Sequence, residues 1–176
     1  LLPTVVGARV AALHVYDARL RWPVPDDLPR AVAGRRVDAI DRRGKYLLFR
    51  FDHGTLILHL GMSGSLRLVP AAEPLGKHDH LDIVFGNQAL RLRDPRRFGA
   101  VLWEKGDADA HPLIAPLGIE PLSDAFTGEW LLVATRGRAT AIKLFLMDSH
   151  IIVGVGNIYA SESLFRAGVD PRTPAG

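Results

Sequence analysis

The sequence predicts an α+β fold with strands first and helices second. Up to about residue 104 it consists of short apolar runs broken by turn residues, the pattern of an antiparallel sandwich or barrel. From about residue 110 the apolar spacing becomes helical. No internal repeat or low-complexity tract competes with that division.

The elements follow in order. Strands are expected over 8–16, 37–40, 46–51, 55–60, 65–69, 81–85, 89–92 and 100–103, with alternation clearest in Tyr46-Leu47-Leu48-Phe49-Arg50-Phe51. One helix, 27–33, interrupts them, with Asp26 or Asp27 to cap it and Gly34 to end it. Residues 112–115 read as a short turn. A helix over 123–135 would be capped by Ser123 or Asp124, and another spans 139–147. After Gly154-Val155-Gly156, a helix over 158–167 carries Leu164 and Phe165 on its apolar face and stops at Gly168. The Pro-rich residues 170–176 are expected to lack structure.

The 176 residues suffice for one domain, or for one domain and part of a second. Cysteine is absent, which excludes disulfides and thiolate metal sites within these residues and is compatible with a cytoplasmic location. Lys and Arg number 22 against 19 Asp and Glu, a mild basic bias that does not by itself point to nucleic acid. Only Lys45, Lys77, Lys105 and Lys143 are lysines, so arginine carries nearly all the positive charge. Apolar runs such as 55–60 and 151–155 are too short to span a bilayer, and no membrane association is expected.

Five segments carry chemistry. Arg91-Leu92-Arg93-Asp94-Pro95-Arg96-Arg97-Phe98-Gly99 sets four arginines around a turn that ends on an aromatic ring. An apolar wedge beside arginines suits entry into a base stack, although a solvated hairpin with Phe98 folded back on the core fits the same residues. His59-Leu60-Gly61-Met62-Ser63-Gly64-Ser65 places an adaptable Met62 in a glycine-flanked turn. Asp41-Arg42-Arg43-Gly44-Lys45-Tyr46 is a basic turn entering a strand, with Lys45 a candidate for phosphate contact or proton transfer. Gly154-Val155-Gly156-Asn157 opens a helix whose free N–H groups and dipole favour an anion, with Asn157 adding a donor. In Lys77-His78-Asp79-His80 the two histidines would share one strand face without a third ligand, so His78 is read as a phosphate donor and not as a metal ligand.

Together with Leu117-Gly118-Ile119-Glu120-Pro121-Leu122, these segments make the chain resemble the formamidopyrimidine-DNA glycosylase family, in order and spacing, from about Pro3 to Pro171. The resemblance implies an N-terminal β-sandwich over 1–110 and the start of a helix–two-turn–helix domain over 111–176. It implies a bifunctional enzyme that excises 8-oxoguanine and formamidopyrimidines from duplex DNA and cleaves the abasic site by β,δ-elimination. On that pattern Met62, Arg96 and Phe98 fill the void left by the extruded base, with Arg96 facing the orphaned cytosine. Lys45, His78, Arg138 and Asn157 match positions that hold DNA phosphates, Lys45 also matches a proton donor, and Lys143 matches a residue near the damaged-base pocket. The partner implied is damaged double-stranded DNA, bound by a monomer. The family's terminal proline nucleophile and its glutamate have no counterpart here, because Pro3 matches an internal position. The zinc of the family belongs to a four-cysteine finger expected after Gly176, so none is expected on these residues. The chain alone is therefore expected to be catalytically incomplete, and a non-catalytic DNA-binding module is the alternative.

Overall fold

In the computed structural model, which describes residues 2–176 and their side chains from Thr4 onward, eight strands form two four-stranded sheets. The first contains β1 (Ala12–Val15), β5 (Ser65–Pro70), β6 (Asp79–Phe85) and β7 (Gln88–Arg93) in the order β1-β6-β7-β5, all paired antiparallel. The second contains β2 (Ala39–Arg43), β3 (Tyr46–Phe51), β4 (Gly54–His59) and β8 (Ala100–Glu104) in that order, with β3/β4 and β4/β8 antiparallel. The described residues group into two units. One runs to Arg42 and from Tyr46 to His111; the other holds Arg43–Lys45 and Pro112–Gly176.

The first unit is a sandwich, because apolar side chains of both sheets enter one core. Leu81, Ile83, Leu90 and Leu92 from one sheet share it with Phe49, Phe51, Leu56, Leu58 and Val101 from the other. Leu28 and Val32 of α2 (Leu28–Val32) complete it. Burying each such side chain contributes roughly 1.5–3 kcal/mol. Leu56 and Leu58 face this core, whereas Ile57 between them pairs with Leu48 and Leu102 and is also buried. Both faces of β4 are covered, which is why its sequence shows no alternation.

Several boundaries differ from expectation. The first strand is shortened to β1 because Val10 bonds to the segment after α2, through Val10 N–H to Arg35 O at 2.7 Å and Gly34 N–H to Val10 O at 2.7 Å. A four-residue helix, α1 (Leu2–Val5), precedes it without having been expected. Arg91 does not belong to the arginine-rich turn. It is 1% exposed and lies opposite Asp82 on β6, donating from Nε to Oδ1 and from Nη2 to Oδ2, each at 2.8 Å. Its remaining donors reach Pro74 O and Glu73 O at 3.0 Å, and the Tyr16 hydroxyl donates to Asp82 Oδ2 at 3.0 Å. The hydrogen bonds to Asp82 raise the Arg91 pKa against the opposing effect of burial, so the guanidinium stays charged.

In the second unit, α3 (Gly128–Thr135), α4 (Ile142–Met147) and α5 (Asn157–Ala167) follow the loop from Pro112. The helix expected from residue 123 starts later, because Ser123 Oγ donates to Glu120 O at 2.8 Å in a turn. Thr127 is the cap instead, its Oγ1 accepting from Trp130 N–H at 3.0 Å. α4 likewise starts at Ile142, since Ala141 bridges to Pro174 and Ile142 N–H donates to Thr173 O at 2.8 Å. Residues 170–176 are thus tied to the unit and not structureless. α5 ends as expected at Gly168, which adopts φ +67 and donates to the last turn. Of its two expected core side chains, Leu164 is buried and Phe165 is exposed.

Candidate nucleic-acid interface

The wedge candidates sit on two turns of the first unit. Met62 is 73% exposed and Phe98 45% exposed, and Phe98 lies outside the shared core. A Phe98 folded back on the core is thereby ruled out for this conformation. The Arg96 guanidinium stacks over the Phe98 ring at 4.8 Å, pairing a cationic fork with a flat apolar surface. Arg97 between them has φ +59, the one positive φ outside glycine among the described residues. That conformation costs about 1–2 kcal/mol for an L-residue and needs support from its surroundings.

Asp94 supplies that support. It is fully buried; its Oδ2 accepts from Gly99 N–H at 2.7 Å, and its Oδ1 accepts from Ser63 Oγ at 2.7 Å and Arg96 N–H at 3.3 Å. Burial pushes the carboxyl pKa up, but these hydrogen bonds outweigh it and hold the group below the usual aspartate range. The Met62 turn meets the other turn directly at Gly61, which has φ +62. A Cβ there would lie 2.5 Å from the Phe98 carbonyl carbon and 2.7 Å from Gly99 N. Only glycine allows this approach.

His78 and His80 do not share a strand face. His78 lies in the turn before β6, half-buried, and its carbonyl accepts from Asp94 N–H at 3.0 Å. His80 is 2% exposed in the irregular start of β6, its Nδ1 and Nε2 each 2.9 Å from a carbonyl oxygen, of Asp17 and Asp94 respectively. Carbonyls only accept, so the ring nitrogen that carries a proton donates to the carbonyl it faces. Among the described residues, no group of three or more His, Asp or Glu side chains is arranged to hold a metal. No described helix is long and apolar enough to cross a membrane.

In the second unit, Lys45 is exposed, with Nζ 3.4 Å from Val155 O beside the turn that opens α5. Its backbone is held by a clamp that links two of the quoted motifs. Arg43 Nη2 donates to Leu117 O at 2.6 Å and Gly118 O at 2.7 Å, and Gly44 N–H donates to Glu120 Oε1 at 2.6 Å. Gly44 is buried with φ +58, and a Cβ on it would collide with the Val153 side chain. Asn157 is exposed in the first turn of α5, whose N-cap Gly156 offers no side-chain acceptor, so the helix presents its N–H groups outward. Arg138 is exposed just after α3, and Lys143 is half-buried in α4.

Sequence reading passed over Asp94, Ser63 and Gly61 as individual residues, treating them as parts of loops. An aspartate just before Pro95 at the root of an arginine-rich turn, with Gly99 after it, was the available signal.

The residues 1–101 match the formamidopyrimidine-DNA glycosylase N-terminal domain, and 117–176 match the formamidopyrimidine-DNA glycosylase H2TH domain. The chain is 60% identical over 174 residues to the formamidopyrimidine-DNA glycosylase of Aromatoleum aromaticum, covering 99% of this chain and 64% of that protein. Against the enzyme of Stutzerimonas stutzeri it is 58% identical over 175 residues, with the same coverage of each. Among solved structures, a complex of Lactococcus lactis Fpg with Fapy-dG-containing DNA has TM-score 0.90 at 29% identity, covering 99% of this chain and 67% of that one. Its complex with abasic-site DNA gives the same score and identity, covering 65% of that chain. This chain therefore spans 64% of the length of the two curated relatives named, and it belongs to the formamidopyrimidine-DNA glycosylase family.

Proposed function

We propose that the full-length protein containing this chain is a base-excision repair enzyme, a DNA glycosylase with abasic-site lyase activity acting on 8-oxoguanine and formamidopyrimidines in duplex DNA. The observation that carries it is the stacking of Arg96 on exposed Phe98, with exposed Met62 on the adjoining turn and both turns held by one buried carboxylate. A flat ring beside an arginine fork fits a base stack from which one base has been extruded. Arg96 is the reader of the orphaned cytosine, since its fork can donate to that base's acceptors. Lys45, His78, Arg138 and Asn157 hold phosphates; Lys45 also serves as proton donor, and Lys143 shapes the damaged-base pocket. The bound DNA named in the Lactococcus lactis Fpg structures, Fapy-dG in one and an abasic site in another, supports this substrate class. The protein acts as a monomer in the bacterial cytoplasm. The described residues present no group that would hold a zinc ion, and no step assigned to them runs through one.

The test separates wedge from reader in the full-length protein. Unstacking a base costs a few kcal/mol, part of which a refilled stack offsets. Phe98→Ala should slow single-turnover excision of 8-oxoguanine while cytosine remains preferred over adenine opposite the lesion. Arg96→Ala should flatten that preference, by about 1–3 kcal/mol if a bidentate contact is lost. Excision rates with each of the four opposite bases, at one salt concentration, measure both. If neither variant changes them, the turn is a solvated hairpin and the reading falls.

A further inference from the structure

We infer that Asp94 is a positioning residue that locks the Met62 turn and the Arg96–Phe98 turn into one rigid body, so that the three side chains enter DNA together. This rests on the proposed function but goes beyond it, because the void-filling role of each side chain does not require the turns to be coupled. Two independent observations carry it. The first is the shared carboxylate: Oδ1 takes the Ser63 hydroxyl next to Met62, while Arg96 N–H and Gly99 N–H bind the same group from either side of Phe98. The second is the approach of Gly61 to the Phe98–Gly99 backbone, too close for any side chain. One turn cannot shift without disturbing the other. Asp94 is in turn anchored at its backbone, with N–H donating to His78 O and its carbonyl facing His80 Nε2. A wedge of two separate turns would pay the ordering entropy of each on entering the stack; a pre-joined wedge has lost it already.

Ser63 is the position that isolates the link, since changing Asp94 would also release Gly99 and Arg96. In the full-length protein, Ser63→Ala should leave affinity for undamaged duplex unchanged and reduce single-turnover excision about tenfold, the range expected when a hydrogen bond to a charged group is lost. Ser63→Thr, which keeps the hydroxyl, should restore it. The specific readout is a double-mutant cycle. With Ser63 present, Met62→Ala and Phe98→Ala should be non-additive in excision rate; in the Ser63→Ala background their effects should add. Additivity in both backgrounds, or a Ser63→Ala enzyme as fast as the parent, overturns the coupling while leaving the functional reading in place. A parent protein that neither excises nor prefers lesion-containing duplex overturns the functional reading and the coupling with it.

Discussion

Replacing Arg91 by methionine should be among the most damaging single changes to the first unit. The guanidinium is 1% exposed and makes hydrogen bonds to both Asp82 oxygens, to Pro74 O and to Glu73 O, with Asp79 Oδ2 a further 3.5 Å away. Methionine fills similar space but strips the Asp82 carboxylate, whose side chain is 2% exposed, of its guanidinium partner, with the Tyr16 hydroxyl still donating to it. Removing one member of such a pair costs about 3–5 kcal/mol, chiefly because the surviving charge stays buried. For a chain of this length that corresponds to a fall of roughly 6–20 °C in Tm. Urea denaturation followed by Trp103 fluorescence, with Trp22 and Trp130 replaced by phenylalanine, measures the loss. The same logic predicts that adding Asp82→Leu to Arg91→Met recovers part of the stability, because it removes one of the two buried carboxylates that lose the guanidinium, the other being Asp79 with its side chain 4% exposed. A loss below about 1 kcal/mol for Arg91→Met, or a double variant no better than the single, would refute the account.

Two further outcomes follow from the site. The folded-state pKa of Asp94 is depressed, so its contribution to stability is complete above the ordinary aspartate value and is lost as pH falls through and below it, under about pH 4. Asp94→Asn should remove that part of the acid dependence, which equilibrium unfolding at stepped pH would show as a flatter curve than the parent's. In the full-length protein Arg138→Ala should release about one fewer counterion, making the log–log salt dependence of DNA binding shallower by roughly 0.9; an unchanged slope would mean that exposed Arg138 does not meet a phosphate.

The arginine-rich stretch shows how far residue type alone reaches. Arg91 and Arg96 look alike in the chain, yet one is sealed inside a sheet and the other lies on a turn beside an exposed ring. Nothing local distinguishes them, because what buries Arg91 is the register that sets Asp82 opposite it. His78 and His80 divide in the same way: the irregular start of β6 turns one toward two backbone carbonyls and leaves the other in the preceding turn. The helix starts at Gly128 and Ile142 differ from local expectation for a related reason. Ser123 is an acceptable cap by composition, but it was taken by a turn onto Glu120, and Ala141 by pairing with Pro174.

By itself the sequence determined the division into strands and helices, the helix stop at Gly168, and the motifs whose order and spacing mark the family, because these depend on local periodicity, turn chemistry and residue identity. Only the tertiary structure decided which charges are buried, that Asp94 joins the Met62 and Phe98 turns, and that Arg43, Gly44 and Glu120 form one clamp beneath Lys45. Asp94 reaches Ser63 across 31 positions and Gly44 reaches Glu120 across 76. Contacts over such separations depend on strand register and chain path, which no local pattern encodes.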